Sequence, residues 1–270
     1  MIRSPACIAE LERAASGATM PNLSNGSLGR LSVIKPPLEE QQRIVAVLDE
    51  AFAAIATATA NAEKNLANAR ELFGAMLANE FQQTDRTWQS RPFEECLKRV
   101  KYPTKIQRKA FRAEGAFPIV SQEADFINGY WDNPSDVLRV EKPLLVFGDH
   151  TQILKYIDFD FVLGADGVKL LLPESFLDTK FLLYFLKAHP MPAKGYARHY
   201  RHLKALDVCF PSIDDQRRIA DRIENFERKI GKLDELQEGQ IKQLIALKQS
   251  LLHRAFTGEL TATARRREAA

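Results

Sequence analysis

Cysteine is scarce in this chain, with three residues among 270. Cys7, Cys96 and Cys209 lie far apart, and no CxxC pair or Cys/His cluster supplies the ligand spacing of a zinc site. A scattered, odd-numbered set of cysteines is typical of free thiols in a reducing compartment. We therefore expect a cytoplasmic protein without a disulfide framework.

Long apolar runs are also missing. None approaches the roughly 20 residues of a membrane span, and the N-terminus lacks the basic region and apolar stretch of a signal peptide. Apolar residues make up 45% of the chain, which is enough for an ordinary globular core. The sequence predicts one or two domains and no membrane partner.

The motifs that hold nucleotide cofactors are absent as well. No GxGxxG follows a strand and no GxxxxGK[ST] occurs, so dinucleotide and P-loop sites lack their phosphate-binding loops. The carboxylates of Asp136 and Glu141 do not have the spacing of a nuclease metal site, and Asp158 and Asp160 are typical of a solvated strand edge. We interpret Asp149, beside His150 at a turn, as a loop hydrogen-bonding residue. The sequence predicts a non-catalytic protein with no metal site and no cofactor of its own.

Charge is nearly balanced overall, at a formal net charge of +3, but it is unevenly distributed. Two stretches, residues 97–113 and 187–205, carry many lysines and arginines and no acidic residue. Between them, residues 123–136 are more acidic. The two basic stretches predict one positive face that attracts a polyanion, and the alternative is two ordinary solvated surfaces.

A segment near the start of the chain recurs near its end without a gap. The first copy begins with PPLEEQQRI at residues 36–44, and the second with PSIDDQRRI at residues 211–219. The same register holds for roughly fifty residues, through Phe81 in the first copy and Phe256 in the second. The repeat predicts an order of helix, globular insert, helix.

Each copy has the signals of a long helix. A proline precedes acidic residues at the helix start, where the macrodipole favours negative charge, and apolar residues then recur at three- and four-residue steps. We predict helices over residues 39–83 and 213–258, each roughly 60 Å long at 1.5 Å per residue. Helices of this length need a partner, and we expect the two copies to pair antiparallel as coiled-coil-forming helices, although the sequence also permits a parallel pairing.

The insert, residues 84–212, has short strand-like runs separated by turn residues and one helix over residues 178–189. The fold class is therefore predicted as α+β, a strand-rich domain flanked by the two long helices. Residues 259–270 are expected to form a disordered tail.

The end of the insert alternates cations with aromatics in Lys194 to Lys204 (KGYARHYRHLK). Cations bind phosphates, arginine can hydrogen-bond a guanine edge, and aromatics pack on sugars or brace a loop. The alternative is a basic surface segment whose tyrosines anchor it to the core.

Four pieces of the chain resemble the specificity (S) subunit of type I restriction-modification systems. They are SGATMPNL at 16–23, PPLEEQQRI at 36–44, GYARHY at 195–200 and LLHRAFTGEL at 251–260. The resemblance covers nearly the whole chain, and the proline-acidic-Gln-Arg-Ile motif gains specificity from occurring twice. Members of this family carry two target-recognition domains, each reading half of a bipartite DNA site, separated by two conserved long helices.

The resemblance implies a recognition subunit that binds double-stranded DNA and docks methyltransferase (M) subunits through its helices. The restriction (R) subunit would join through the complex, with S-adenosylmethionine belonging to M and ATP to R. This chain departs from the family pattern because it has one complete target-recognition domain, residues 84–212, and residues 1–38 resemble only the end of another. It looks like the C-terminal half of an S subunit or a natural half-subunit. Its second half would come from a homodimer partner or from a complementing N-terminal S half.

The residues predicted to contact DNA are chosen on charge and hydrogen-bonding capacity. The stronger candidates are Lys101, Lys105, Arg108, Lys109, Lys194, Tyr196, Arg198, His199, Tyr200 and Arg201. The weaker candidates are Gln122, His150, Thr151, Gln152 and Lys155.

Three other functions remain open at this point. A coiled-coil scaffold would bind only protein, and a DNA affinity that falls steeply with salt and depends on sequence would exclude it. A nuclease or methyltransferase acting alone is disfavoured by the missing cofactor motifs. A truncated S fragment without a partner would fold but have no function.

Overall fold

The computed structural model describes residues 36–81, 88–191 and 198–260, together with a few isolated positions before residue 36. The predicted remnant of a first recognition domain, residues 1–38, lies almost entirely outside the described residues, and so does most of the predicted tail 259–270. Within the described residues, a strand-rich domain stands between two long helices in the chain order. This confirms the predicted α+β class.

From residue 36 onward, the described part of the chain contains four α-helices and eleven short strands, joined by turns and three 3-10 segments. The helices are α1 (Leu38–Phe81), α2 (Thr179–Ala188), α3 (Tyr200–Lys204) and α4 (Ile213–Phe256). The strands are β1 (Gln89–Pro92), β2 (Leu97–Lys98), β3 (Ile106–Gln107), β4 (Phe117–Val120), β5 (Gly129–Trp131), β6 (Val137–Leu138), β7 (Leu144–Gly148), β8 (Leu154–Ile157), β9 (Phe161–Ala165), β10 (Val168–Pro173) and β11 (Asp207–Phe210).

The two long helices have the same length, 44 residues, and the same register within the repeat. They begin at the equivalent residues Leu38 and Ile213 and end at the equivalent residues Phe81 and Phe256. Both carry two acidic residues in the first turn, which stabilise the positive end of the helix dipole. The sequence predicted both helices to within a few residues at their ends.

One side-chain hydrogen bond recurs at both helix starts. Nε2 of Gln41 donates to the carbonyl oxygen of Pro36 at 2.7 Å, and Nε2 of Gln216 donates to the carbonyl oxygen of Pro211 at 3.0 Å. The bond joins the proline-containing segment before each helix to its first turn. The proline and glutamine of the repeat are therefore joined in one local hydrogen-bonded contact.

The residues separate into two compact units, one formed by Arg70–Ile230 and the other by the residues on either side. In the unit formed by the residues on either side of Arg70–Ile230, the buried residues of α1 are Leu48, Ile55, Ala62 and Ala69. A seven-residue spacing is that of a helix packed along another helix. The partner is α4, since the ammonium of Lys248 lies 5.0 Å from the ring centre of Phe52.

In the unit Arg70–Ile230, the end of α1 runs antiparallel to the start of α4, as the sequence predicted. Phe73 stacks on Phe226 with ring centres 6.2 Å apart, and further along α1 the carboxylate of Glu80 pairs with Arg222 at 2.5 Å. A later residue of α1 thus meets an earlier residue of α4.

The strand-rich domain lies within the same unit and contains three small sheets. An antiparallel sheet has the order β2-β10-β7-β8, and a mixed sheet has the order β3-β9-β4-β5, with β6 also paired to β9. A third pairing, β1 with β11, joins the first and last strands of the domain. The polypeptide therefore enters and leaves the domain side by side.

Helix α2 packs its apolar face into the core of this domain. Its first turn is capped by Asp178, whose Oδ1 accepts from the backbone N–H of Lys180 at 2.9 Å and of Phe181 at 3.0 Å. Phe181 and Phe185, both predicted to face inward, are buried and meet the ring of Phe81 edge-on at 5.3 and 5.8 Å. Burying each large side chain contributes roughly 1.5–3 kcal/mol, so this cluster fixes the end of α1 to the domain.

The start of α4 is fastened to the domain by a fully buried glutamine. Besides its bond to Pro211, Gln216 donates from Nε2 to the carbonyl oxygen of Phe176 at 2.9 Å and accepts on Oε1 from the backbone N–H of Asp178 at 2.8 Å. About two turns further along α4, Lys180 of α2 pairs with Glu224 of α4 at 2.8 Å. Backbone recognition and an ion pair thus fix α4 against α2.

Helix α1 is apolar and long enough to cross a membrane, by length and composition only, with 6% of the relevant window buried. Its charge-free part, however, runs only from Ala51 to Ala62. Such a stretch is about 18 Å long at 1.5 Å per residue, well short of the roughly 30 Å of a hydrocarbon core.

The domain differs from the sequence expectation in two respects. The basic segment at its end contains the short helix α3, which was not predicted. The mixed sheet pairs β3 and β4 in parallel with β9, although about forty or more residues separate these strands in the sequence. Parallel strands need long connections, and such pairing leaves no local sequence signal.

Candidate nucleic-acid interface

The described part of the basic segment at the end of the domain presents Arg198 and Arg201 outward and His199 and Tyr200 inward. Arg198 and Arg201 are exposed, whereas His199 is buried and Tyr200 is half-buried. The Tyr200 ring packs against Phe93 and Phe147, with ring centres 6.3 and 6.4 Å apart. His199 and Tyr200 therefore anchor the segment, and the two arginines flanking them are the side chains able to reach a ligand.

Asp149 holds this segment in place from the turn after β7. Its backbone carbonyl accepts from the N–H of His199 at 2.8 Å, and its carboxylate Oδ1 accepts from the N–H of Tyr200 at 2.7 Å. Its own N–H donates to the carbonyl oxygen of Gly167 at 2.6 Å. The buried Asp149 thus joins three segments that are distant in sequence, in the hydrogen-bonding role that its position at a turn predicted.

The weaker candidates from the loop after β7 gather around the same point. Oε1 of Gln122 accepts from the N–H of His150 at 3.2 Å, and the hydroxyl of Thr151 donates to the carbonyl oxygen of Gln122 at 2.6 Å. The side-chain nitrogen of Gln152 lies 3.1 Å from Nδ1 of His199. The structure therefore brings Gln122, His150, Thr151 and Gln152 next to the basic segment.

Gly167 allows this close approach. Its φ of +75° lies in the left-handed region, and a Cβ there would come within 2.7 Å of both Oε1 of Gln122 and Cδ2 of His150. A larger residue at this turn would push the Gln122–His150 contact apart.

Lys155 is not available to a ligand, in contrast to the sequence expectation. It is buried, and its Nζ donates to the carbonyl oxygen of Asp125 at 2.5 Å and to Oδ1 of Asn128 at 2.9 Å. Burial lowers the pKa of this ammonium below its usual value. Lys155 points to the inside of the domain because alternate side chains of β8 face the core. Its hydrogen bonds hold the loop before β5 in place.

The cations of the first basic stretch are placed less uniformly. Lys101, Arg108 and Lys109 are exposed and Lys105 is half-buried. Arg108 pairs with Glu123 at 3.2 Å, which neutralises part of its charge. Lys194 and Tyr196 lie outside the described residues, so their predicted contacts stay predictions.

The carboxylates that superficially suggested a metal site have structural partners. Asp136 accepts from Nε1 of Trp131 at 2.8 Å, and Asp160 accepts from Arg139 at 2.5 Å and from the N–H of Val140 at 2.8 Å. The hydrogen bond from Arg139 holds the pKa of Asp160 below its usual value. Among the residues that the structure describes, no three His, Cys, Asp or Glu side chains come together to hold a metal.

Sequence reasoning missed Lys169 and Arg99 as candidates. Lys169 follows the Gly167 turn on β10, and its ammonium lies 5.3 Å from the ring centre of Tyr200. Arg99, which lies inside the first basic stretch, is exposed. For Arg99 the available signal was its position inside the first basic stretch, whereas only the fold brings Lys169 next to Tyr200.

Comparison with known proteins shows a fold but no close sequence relative. No protein-family model matches the sequence, and no curated protein matches it. A solved structure described as the basis of complex assembly and conformational transition of the type I R-M system has a TM-score of 0.79 at 20% identity, covering 96% of this chain and 70% of that chain. The HsdS subunit from Thermoanaerobacter tengcongensis has a TM-score of 0.59 at 21% identity, covering 96% of this chain and 68% of that one.

Proposed function

We propose that this chain, which has the fold of type I restriction-modification S subunits, is the DNA sequence-specificity subunit of such a complex. Residues 84–212 would read one half of a bipartite site, and the long helices would dock M subunits. The observation that carries the proposal is the presentation of Arg198 and Arg201 on a segment fixed by the buried Asp149. A subunit of this kind binds DNA without catalysing a reaction and acts in the cytoplasm.

Recognition would divide between charge and hydrogen bonding. Arginines contact phosphates and, in bidentate geometry, the O6 and N7 atoms of guanine. Gln122, His150 and Thr151 lie in the adjoining loop network and offer donors and acceptors to base edges. The same hydrogen-bond network holds the arginine-bearing segment and the adjoining loop. Phosphate contacts by the arginines would therefore set the register in which the loop reads the bases.

The first test is the double variant Arg198→Ala/Arg201→Ala in the complex with M. We expect DNA affinity to fall about tenfold or more, as expected for losing two phosphate contacts, while M binding persists. The charge-matched control is Arg112→Ala/Arg139→Ala, because both arginines lie on the same domain and are paired with Asp132 and Asp160. DNA affinity unchanged by the first variant would remove the basic segment from the interface.

Docking of M subunits is supported by the surface of α1. Val47 is 40% exposed, and Ala54, two turns later on the same side of the helix, is exposed within the charge-free stretch from Ala51 to Ala62. An exposed apolar helix face of this kind marks a protein-interaction surface. Val47→Glu should abolish capture of M without changing the affinity of the chain for DNA, and Glu50→Ala on the same exposed surface is the control.

The repeat also supports a second recognition domain at the start of α1. Gln216 and Ala220 of α4 are buried against the domain, whereas the equivalent Gln41 is half-buried and Val45 is exposed. Asp49 keeps the negative charge of its equivalent Glu224, which pairs with Lys180. The start of α1 thus retains the glutamine and one of the carboxylates that hold α2 on α4.

A complementing N-terminal S half fits this surface better than a second copy of the chain. In each copy, the face of α2 that would bind α1 is already covered by the α4 of its own chain, through Gln216 and Glu224. A homodimer using this contact would first have to release that face. The methylated DNA motif distinguishes the two arrangements, because paired copies give a palindromic motif with a spacer and a complementing half gives an asymmetric one.

A further inference from the structure

A groove of about 380 Å³ lies on the strand-rich domain between the segment that begins at β2 and the first residues of β10. Its lining includes Arg99, Tyr102 and Lys105 from the segment after β2, Lys169 from β10, and Tyr200 from α3. Lys105 and Tyr200 are among the predicted DNA contacts, and the groove joins them to Arg99 and Lys169 in one concave surface.

The charge of this groove is positive. Within the described parts of the chain, no carboxylate forms an ion pair with Arg99, Lys105 or Lys169. The acidic side chain in the lining, Glu94, is paired with Lys204 at 2.6 Å. Three cations without a carboxylate partner facing one concave surface attract an anion and concentrate it there.

The two lysines are held in place before any ligand binds. Nζ of Lys105 donates to the carbonyl oxygen of Val168 at 3.2 Å and lies 5.2 Å from the ring centre of Tyr102. The ammonium of Lys169 lies 5.3 Å from the ring centre of Tyr200. Contacts with aromatic faces restrain both side chains without neutralising their charge, so less conformational entropy is lost when an anion binds.

We propose that this groove binds the phosphodiester backbone of DNA, with Arg99, Lys105 and Lys169 as its phosphate contacts. Tyr102, which is 44% exposed, would pack its ring against a sugar. The inference rests on the proposed function and adds to it the path of the DNA backbone along the domain. Since Tyr200 lines the groove and precedes Arg201, a backbone held here would fix the position of the duplex relative to the basic segment.

The test is the double variant Arg99→Ala/Lys169→Ala in the full-length chain, measured as affinity for a mixed-sequence duplex between about 50 and 200 mM salt. Losing two phosphate contacts should lower the slope of log affinity against log salt by about 2 and weaken binding about tenfold or more at the upper salt concentration. The loss should be equal for all duplex sequences, because phosphates carry no sequence information. The control is Lys229→Ala/Lys232→Ala, which removes two exposed lysines from α4.

The outcomes separate the groove from the proposed function. If the wild-type chain binds DNA and the groove variant keeps its affinity and salt slope, the groove proposal is overturned and the specificity function stands. If the wild-type chain binds no duplex even at low salt, the groove proposal fails, and the test in the complex with M decides the specificity function separately. Inorganic phosphate that competes with DNA more strongly than chloride of equal ionic strength would identify a free-phosphate site. That result would also overturn the proposal that the groove binds the DNA backbone.

Discussion

The side-chain amide of Gln216 donates a 2.9 Å hydrogen bond to the carbonyl oxygen of Phe176, and this bond joins the second long helix to the strand-rich domain. Gln41, at the equivalent position of the repeat, makes the bond to its own proline. The same residue type thus serves a local role at both helix starts and a tertiary role at one of them. A pair of matched substitutions can separate the two roles.

Gln216→Ala should lower the free energy of unfolding by about 3 kcal/mol, because it leaves a buried N–H and two carbonyl groups without their partner. Gln41→Ala, at a half-buried position, should cost about 1 kcal/mol or less. Urea unfolding followed by circular dichroism measures both. Equal effects would show that the contacts of Gln216 with the domain contribute little.

Asp149→Ala should weaken DNA binding while leaving the domain folded, because it removes the acceptor for the N–H of Tyr200 and loosens the segment that carries Arg198 and Arg201. Asp149→Asn keeps an oxygen acceptor and should retain most of the affinity. Binding to a duplex is measured for both variants, with Asp158→Asn as an exposed control. A loss of the same size in the Asn and Ala variants would mean that the negative charge, and not the positioning bond, matters.

The Lys180–Glu224 pair should make a small contribution to stability that disappears at high pH. The hydrogen bond from Lys180 to Glu224 raises the pKa of the lysine above its unfolded value of 10.5. The stabilisation is therefore fully present below that value and is lost as pH rises through the higher pKa of the folded state. Since both side chains are about one third exposed, we expect about 1 kcal/mol or less, measured as the difference between wild type and Glu224→Gln from neutral to strongly alkaline pH. A difference that does not shrink with pH would contradict this account.

Cys96 should resist thiol reagents in the folded protein. It is fully buried, and burial raises its pKa to about 11, so almost no thiolate forms near neutral pH. Cys209 is half-exposed and should react readily. Alkylation followed by peptide mass mapping compares the two sites, and rapid labelling of Cys96 without denaturant would show that the core around Phe93 opens.

The long helices could be predicted because their signals are local. Pro36 with the acidic first turn fixes one start, and the recurrence of that pattern at Pro211 fixes the other. The burial of Lys155 could not be predicted, because the loop that accepts its hydrogen bonds, around Asp125 and Asn128, is about thirty residues away in sequence. Likewise, His199 carries the polarity of a contact residue, and only the packing of the turn at Asp149 shows that it is buried.

The central claim is that this chain selects the DNA sequence on which a methyltransferase acts. The most direct test is to purify the chain with its M subunits and any complementing S half, treat DNA with the complex, and sequence the methylated bases. The account predicts methylation at one defined motif, which weakens in the Arg198→Ala/Arg201→Ala variant and is lost when this chain is omitted. A chain that binds no M subunit, or methylation that is unchanged without it, would contradict the claim.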